Sequence, residues 1–252
     1  MLLKREIGVV ATGCLMFMGA LSSPVVAEQI VSTELNGWVA TFSGPTDRYG
    51  HAVLGSTPEW GKLCLTHRDA EGCVTLPEYR VFEDTAPRLA DVDRDGRLDA
   101  VVVESDAQAG ASLVVYMLEP SGQLKRFAND PIGTRFRWLA PIGIADLDGD
   151  GHTEVAYIDR PHLAKTLRIL RFVDSGLVEV ATQAGLTNHR IGEAFITSGL
   201  RQCEGAPIEI VTVNASWSST MASSFDGQRV TTRSIAPFHG LKDMETAMEC
   251  HD

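Results

Sequence analysis

Asp91-Val92-Asp93-Arg94-Asp95-Gly96-Arg97-Leu98-Asp99 and Asp146-Leu147-Asp148-Gly149-Asp150-Gly151-His152-Thr153-Glu154 are two copies of one pattern, and their reading decides the fold. Acidic side chains stand at positions 1, 3, 5 and 9, with glycine at 6. An apolar run follows each copy, AlaValValVal after the first and ValAlaTyrIle after the second. Alternate residues of a tight turn point their carboxylates inward, and the glycine lets the backbone reverse. The result is an oxygen cage for a hard divalent cation. Calcium fits it better than zinc, which takes Cys and His ligands.

An EF-hand shares the first half of the pattern, but it needs a bidentate Glu at position 12 and a helix on each side. Position 12 is Val102 in one copy and Tyr157 in the other. The flanks, ProArgLeuAla and IleGlyIleAla before and β-branched runs after, read as strands. Strand, nine-residue acidic loop, strand resembles the FG-GAP or VCBS repeat of bacterial and integrin-type calcium-binding β-propellers. The signatures that name the integrin version are not present in clean form, so the likeness is to the looser VCBS type. The resemblance implies that each loop joins the first two strands of a blade. It also implies two Ca²⁺ sites. One would use the side chains of Asp91, Asp93, Asp95 and Asp99 with the carbonyl of Arg97, the other those of Asp146, Asp148, Asp150 and Glu154 with the carbonyl of His152.

The two copies lie 55 residues apart, and a further 55 residues reach Arg201, in ArgGlnCysGluGlyAlaProIleGlu. Only Glu209, at position 9, keeps a ligand-type side chain there, so this third loop is expected to hold no ion. Hairpin cues recur at Asn36-Gly37, Glu119-Pro120-Ser121-Gly122, Asp174-Ser175-Gly176 and Asp226-Gly227, with a poorer one at Leu76-Pro77-Glu78. One hairpin in roughly every 45 residues is the length of a four-stranded propeller blade. The fold expected is all-β, a small β-propeller with blades over 51–84, 86–129, 138–182 and 193–234. A fifth blade would be closed by the N-terminal hairpin (29–33 with 38–42) and the C-terminal stretch 241–249. Four blades with a terminal extension, the last stretch then a short helix, is the alternative. Strands next to the loops are apolar throughout, as strands covered on both faces should be. No Gly/Ser/Pro linker divides residues 28–252, which read as a single domain.

The chain has 252 residues, and its first 27 read as a secretory signal peptide. Lys4 and Arg5 precede an apolar run from Ile7 to Leu21, and Val25-Val26-Ala27 supplies small residues for cleavage. A lipoprotein acylated at Cys14 is the alternative. The run is short for about 30 Å of hydrocarbon, so no transmembrane segment is expected in the mature chain. A periplasmic or secreted location follows. Export leaves Cys64, Cys73, Cys203 and Cys250, which suggests two disulfides with three connectivities open. A local bridge Cys64–Cys73 is the cheapest, leaving Cys203–Cys250 to tie down the C-terminus. The formal charge of −11 argues against nucleic acid or an anionic membrane as partner.

Chemistry beyond calcium is sparse. No nucleophile elbow, metalloprotease motif or phosphate loop occurs, and His162 and His189 read as turn histidines. Before the first strands of successive blades stand Arg48, Arg88, Arg137 with Trp138, and His189 with Arg190. A propeller gathers such positions at one mouth of its channel, where they could capture an anionic small molecule, glycan or peptide terminus. Local salt bridges are the plainer reading. The function expected is a non-enzymatic calcium-binding scaffold or binding module. The alternatives are an extracytoplasmic hydrolase or lyase using Asp84, Arg137, His189 and Glu193 at that mouth, and a subunit of a larger surface assembly.

Overall fold

The computed structural model describes residues 29–174 and 176–250; the expected signal peptide and Cys14 lie outside them. Four antiparallel meanders of four strands follow one another. The first is β1 (Val31–Leu35), β2 (Trp38–Thr46), β3 (Glu59–His67) and β4 (Ala70–Thr75). After a short β5 (Arg80–Phe82) comes the second: β6 (Arg88–Ala90), β7 (Asp99–Asp106), β8 (Gly110–Leu118) and β9 (Leu124–Ala128). The third is β10 (Leu139–Ala145), β11 (Glu154–Asp159), β12 (Thr166–Val173) and β13 (Gly176–Ala184). A two-residue β14 (Leu186–Thr187) precedes the fourth, β15 (Gly199–Gln202), β16 (Ile208–Asn214), β17 (Ser219–Phe225) and β18 (Val230–Pro237). Helix α1 (Leu241–Met248) ends the described chain. β5 pairs with β3 on one side and the far end of β7 on the other, so the first two meanders share one sheet.

The continuous apolar runs have a direct cause. In β7, Ala100 and Val102 pack towards the first meander, against Phe42, Leu63 and Leu65. Val101 and Val103 point the other way, against Leu139, Val155 and Tyr157. In β11, Val155 and Tyr157 belong to that second cluster, while Ala156 and Ile158 meet Ile210 and Phe225 in a third. Successive side chains of a strand face opposite sides, so a strand sandwiched between two sheets is apolar at every position. The all-β architecture, built of antiparallel sheets, is compatible with a β-propeller.

The composite fifth blade does not form among the described residues. The N-terminal hairpin pairs along the length of β3, placing Trp38, Ala40 and Phe42 in the first core. Residues 241–249 carry helix α1 rather than a strand. The first meander therefore spans 31–75 and not 51–84. Leu76-Pro77-Glu78 connects β4 to β5; the hairpin itself turns at Arg68, which takes a left-handed φ of 54°. α1 lays Met244 and Ala247 on Val211, Val213 and Phe238, covering the outer face of the fourth meander.

Both disulfides form as the cheapest pairing had it. Cys64–Cys73 joins facing residues of β3 and β4, and Cys203–Cys250 ties the β15–β16 loop to the end of α1. No helix among the described residues is long and apolar enough to cross a membrane.

Candidate metal centre

Each acidic stretch joins the first two strands of its meander, Asp91–Asp99 between β6 and β7 and Asp146–Glu154 between β10 and β11. The two loops share four hydrogen bonds position for position. The N–H of position 2 donates to the carboxylate of position 9, Val92 to Asp99 at 3.0 Å and Leu147 to Glu154 at 2.8 Å. Position 5 donates to position 3, Asp95 to Asp93 at 3.2 Å and Asp150 to Asp148 at 3.1 Å. Glycine 6 donates to position 1, Gly96 to Asp91 at 3.0 Å and Gly151 to Asp146 at 2.8 Å. Position 7 donates to position 5, Arg97 to Asp95 and His152 to Asp150, both at 2.8 Å. Gly96 and Gly151 have φ of 85° and 89°, a region that a side chain makes costly. Every carboxylate thus spends an oxygen on the backbone, and three of the four in each loop converge, Asp95 and Asp150 standing outside these groups. Ligand atoms of Asp91, Asp93 and Asp99 lie within 4.8 Å of one another, as do those of Asp146, Asp148 and Glu154.

The loops differ in what balances this charge. Among the described residues, no basic side chain pairs with a carboxylate of the first loop, and Asp91 Oδ1 is buried without a partner. Burial, reinforced by the charges of Asp93, Asp95 and Asp91, pushes the Asp99 carboxyl up to about 7. A buried, unpaired carboxylate oxygen facing further carboxylates is expensive unless a cation joins it, so the donor set fits a hard cation such as Ca²⁺. In the second loop Arg171, which faces Glu154 across the β11–β12 ladder, reaches three carboxylates. Its Nη2 donates to Asp148 Oδ2 and its Nη1 to Asp150 Oδ2, each at 2.8 Å, and its Nε donates to Glu154 Oε1. The third loop replaces position 1 by Arg201. That side chain is almost fully buried, donates from Nε and Nη2 to Glu209 at 3.1 and 2.8 Å, and also reaches the Ala247 carbonyl at the end of α1.

The chain carries an FG-GAP-like repeat. The family model of that description matches residues 85–157, which include the whole of the second meander and both acidic loops. No curated protein matches the chain.

The residues expected before the first strands lie at the other end of the meanders from the acidic loops, but Arg48 stands in the β2–β3 loop, inside the first meander, because that meander begins at β1 and not at residue 51. Arg48 donates to the Arg80 and Leu76 carbonyls, and Arg88 to the buried Asp84 at 2.7 Å. Arg190 rests over the Trp217 ring, 3.8 Å from Glu193. These three are engaged locally. Arg137 and Trp138 do come together, with His51, Arg160 and His162, around a cavity of about 30 Å³. Trp138 donates its indole N–H to the Glu83 carbonyl at 2.8 Å. His189 is 1 % exposed, so it is a core residue and not a turn histidine. It spans His162 Nε2 at 3.0 Å and the Glu193 carbonyl at 2.9 Å. A space of this size holds on the order of one water molecule.

Three groupings escaped the sequence. Arg171 could have been noticed as one of two arginines, with Arg168, in the strand TLRILRFV. The His162–His189 pair carries no spacing signal, its members being 27 residues apart. A groove of about 390 Å³ opens between the second and third meanders, where Asp159 is buried between Arg160 (2.8 Å) and Arg168 (3.0 Å) beside Tyr157 and Asn129.

Proposed function

We propose that this protein is an exported, calcium-stabilised, propeller-like binding or scaffold module in which the ion is structural. The FG-GAP-like repeat supports a module of this kind, and the two disulfides are consistent with an extracytoplasmic location. The observation that carries the calcium reading is the first loop, where Asp91 Oδ1 is buried without a partner beside Asp93 and Asp99. Calcium there would be held by Asp91, Asp93, Asp95, Asp99 and the Arg97 carbonyl. At the second loop the holders are Asp146, Asp148, Asp150, Glu154 and the His152 carbonyl. The ion supplies positive charge that cancels carboxylate repulsion and fastens the turn between the first two strands of a meander. The chain's own residues hold the cage in shape through the four shared backbone bonds.

Binding to the native state alone stabilises by mass action, about 2.7 kcal/mol when free calcium is about 100 times the dissociation constant. The melting temperature should fall on chelation with EGTA and recover with calcium but not with zinc. Asp93→Asn should remove most of the recovery. A melting temperature indifferent to EGTA contradicts the proposal.

A further inference from the structure

The three loops form a series, read at one structural position. In the first, no basic side chain among the described residues pairs with the acids. In the second, Arg171 gives one N–H to each of Asp148, Asp150 and Glu154. In the third, the acid of position 1 is itself replaced by Arg201, paired with the surviving Glu209. The register explains why only one acidic loop has its own cation. Glu154 faces Arg171 on the neighbouring strand, whereas Ala100 faces Tyr116, so the place beside Asp99 falls to Met117.

We infer that Arg171 is a tethered counter-ion that makes the two calcium loops unequal. The first loop depends on the metal, and the second is held together by its own guanidinium, which a calcium ion must compete with. This rests on the calcium reading above and deepens it. A guanidinium presents fixed N–H donors to several carboxylate oxygens at once, so it satisfies the loop by direction as well as by charge. Three of the four acidic side chains of the second loop give it an oxygen. Arg171 is well shielded, its side chain only 16 % exposed, so solvent screens the contact poorly. An incoming ion meets oxygens already engaged and a positive charge at contact distance. At the first loop the carboxylates are engaged by backbone N–H groups, and among the described residues no guanidinium pairs with them.

The test is calcium titration calorimetry on the full-length chain in four variants. Asp148→Asn leaves the first loop intact, and Asp93→Asn leaves the second. Asp93→Asn is then combined with Arg171→Met, copying Met117, or with Arg171→Lys, which keeps the charge. The second loop should bind calcium at least about tenfold more weakly than the first, the scale of like-charge repulsion at contact distance even in water. Arg171→Met should tighten it by a similar factor, and Arg171→Lys should leave it weak. Equal affinities for the two loops, or an Arg171→Met variant that binds no tighter, overturn the inference. A chelated melt separates this from the calcium reading. In EGTA, Arg171→Met alone should melt below the unaltered chain, whether or not any calcium binds. An unchanged melting temperature there rejects the tethered role. Absence of binding in Asp148→Asn rejects only calcium.

Discussion

At the residue scale, the molecule solves one electrostatic problem with different cations. Glu209 at position 9 of the third loop is held well within its charged range, its burial more than offset by Arg233 and Arg201. The corresponding Asp99 has no such neighbour and is pushed up to about 7, first by burial. The His162–His189 pair is a further balance, this time without charge. Burial, with the charges of His189, His51 and Lys165 adding to it, holds His162 down at about 4 against an ordinary value of about 6.5. A folded value below the unfolded one means that neutral His162 stabilises fully above about pH 6.5. That contribution is lost as the pH falls towards 4. The urea midpoint of the unaltered chain should therefore fall more steeply between about pH 7 and pH 4.5 than that of His162→Gln. Parallel profiles would refute the assignment. The metal-type acids were legible in the sequence because their spacing is local. Arg171 and the histidine pair were not, because strand register and inter-sheet packing bring them to their partners.

At the element scale, the β6–β7, β10–β11 and β15–β16 turns do the same mechanical work with different fasteners. The first two carry acidic loops. The third is tied to α1 through Arg201 and the Cys203–Cys250 bridge, and α1 in turn covers Val211 and Val213. That bridge closes a separation of 47 residues, for which chain entropy gives about 4 kcal/mol. Cys64–Cys73 closes only 9, worth roughly 3 kcal/mol, and it spans a hairpin that backbone pairing already closes. Replacing Cys203 and Cys250 together by serine should therefore lower stability in urea by clearly more than replacing Cys64 and Cys73. The opposite order would show that α1 is held by packing alone. The strands themselves were legible, since β7 and β11 are apolar on both faces and the β1–β2, β8–β9 and β17–β18 hairpins turn at Asn36-Gly37, Pro120-Ser121-Gly122 and Asp226-Gly227. The pairing of the N-terminal hairpin with β3 was not, because residues 47–58 between β2 and β3 carry no compact turn signal. The helical C-terminus was open in the sequence as the alternative to a strand: Met and Ala favour helix, and Val211 and Val213 of β16, which the helix covers, decide which face it buries.

At the scale of the whole molecule, the four meanders stack through three shared cores, and the first and fourth meet through their loops: Ile196, ahead of β15, packs against the core that holds Val53 and Leu54 of the β2–β3 loop, and the Gly192 N–H donates to the Val53 carbonyl at 2.9 Å. Both end faces are finished in other ways. The outer face of the first meander presents Ser32, Thr41, Lys62, Thr66 and Thr75, polar residues that ask for no covering sheet. The outer face of the fourth is closed by α1. Repeat arrays commonly end in such polar or capped terminal units. On the proposed reading, calcium fastens the first turns of the second and third meanders, which among the described residues are braced by neither a disulfide nor a helix. The most direct measurement is an anomalous difference map from crystals grown with calcium. A peak bounded by the carboxylates of Asp91, Asp93, Asp95 and Asp99 is the expected result, with weaker density at the Asp146–Glu154 loop. A map with no peak at the first loop, at calcium concentrations in the millimolar range, would contradict the account.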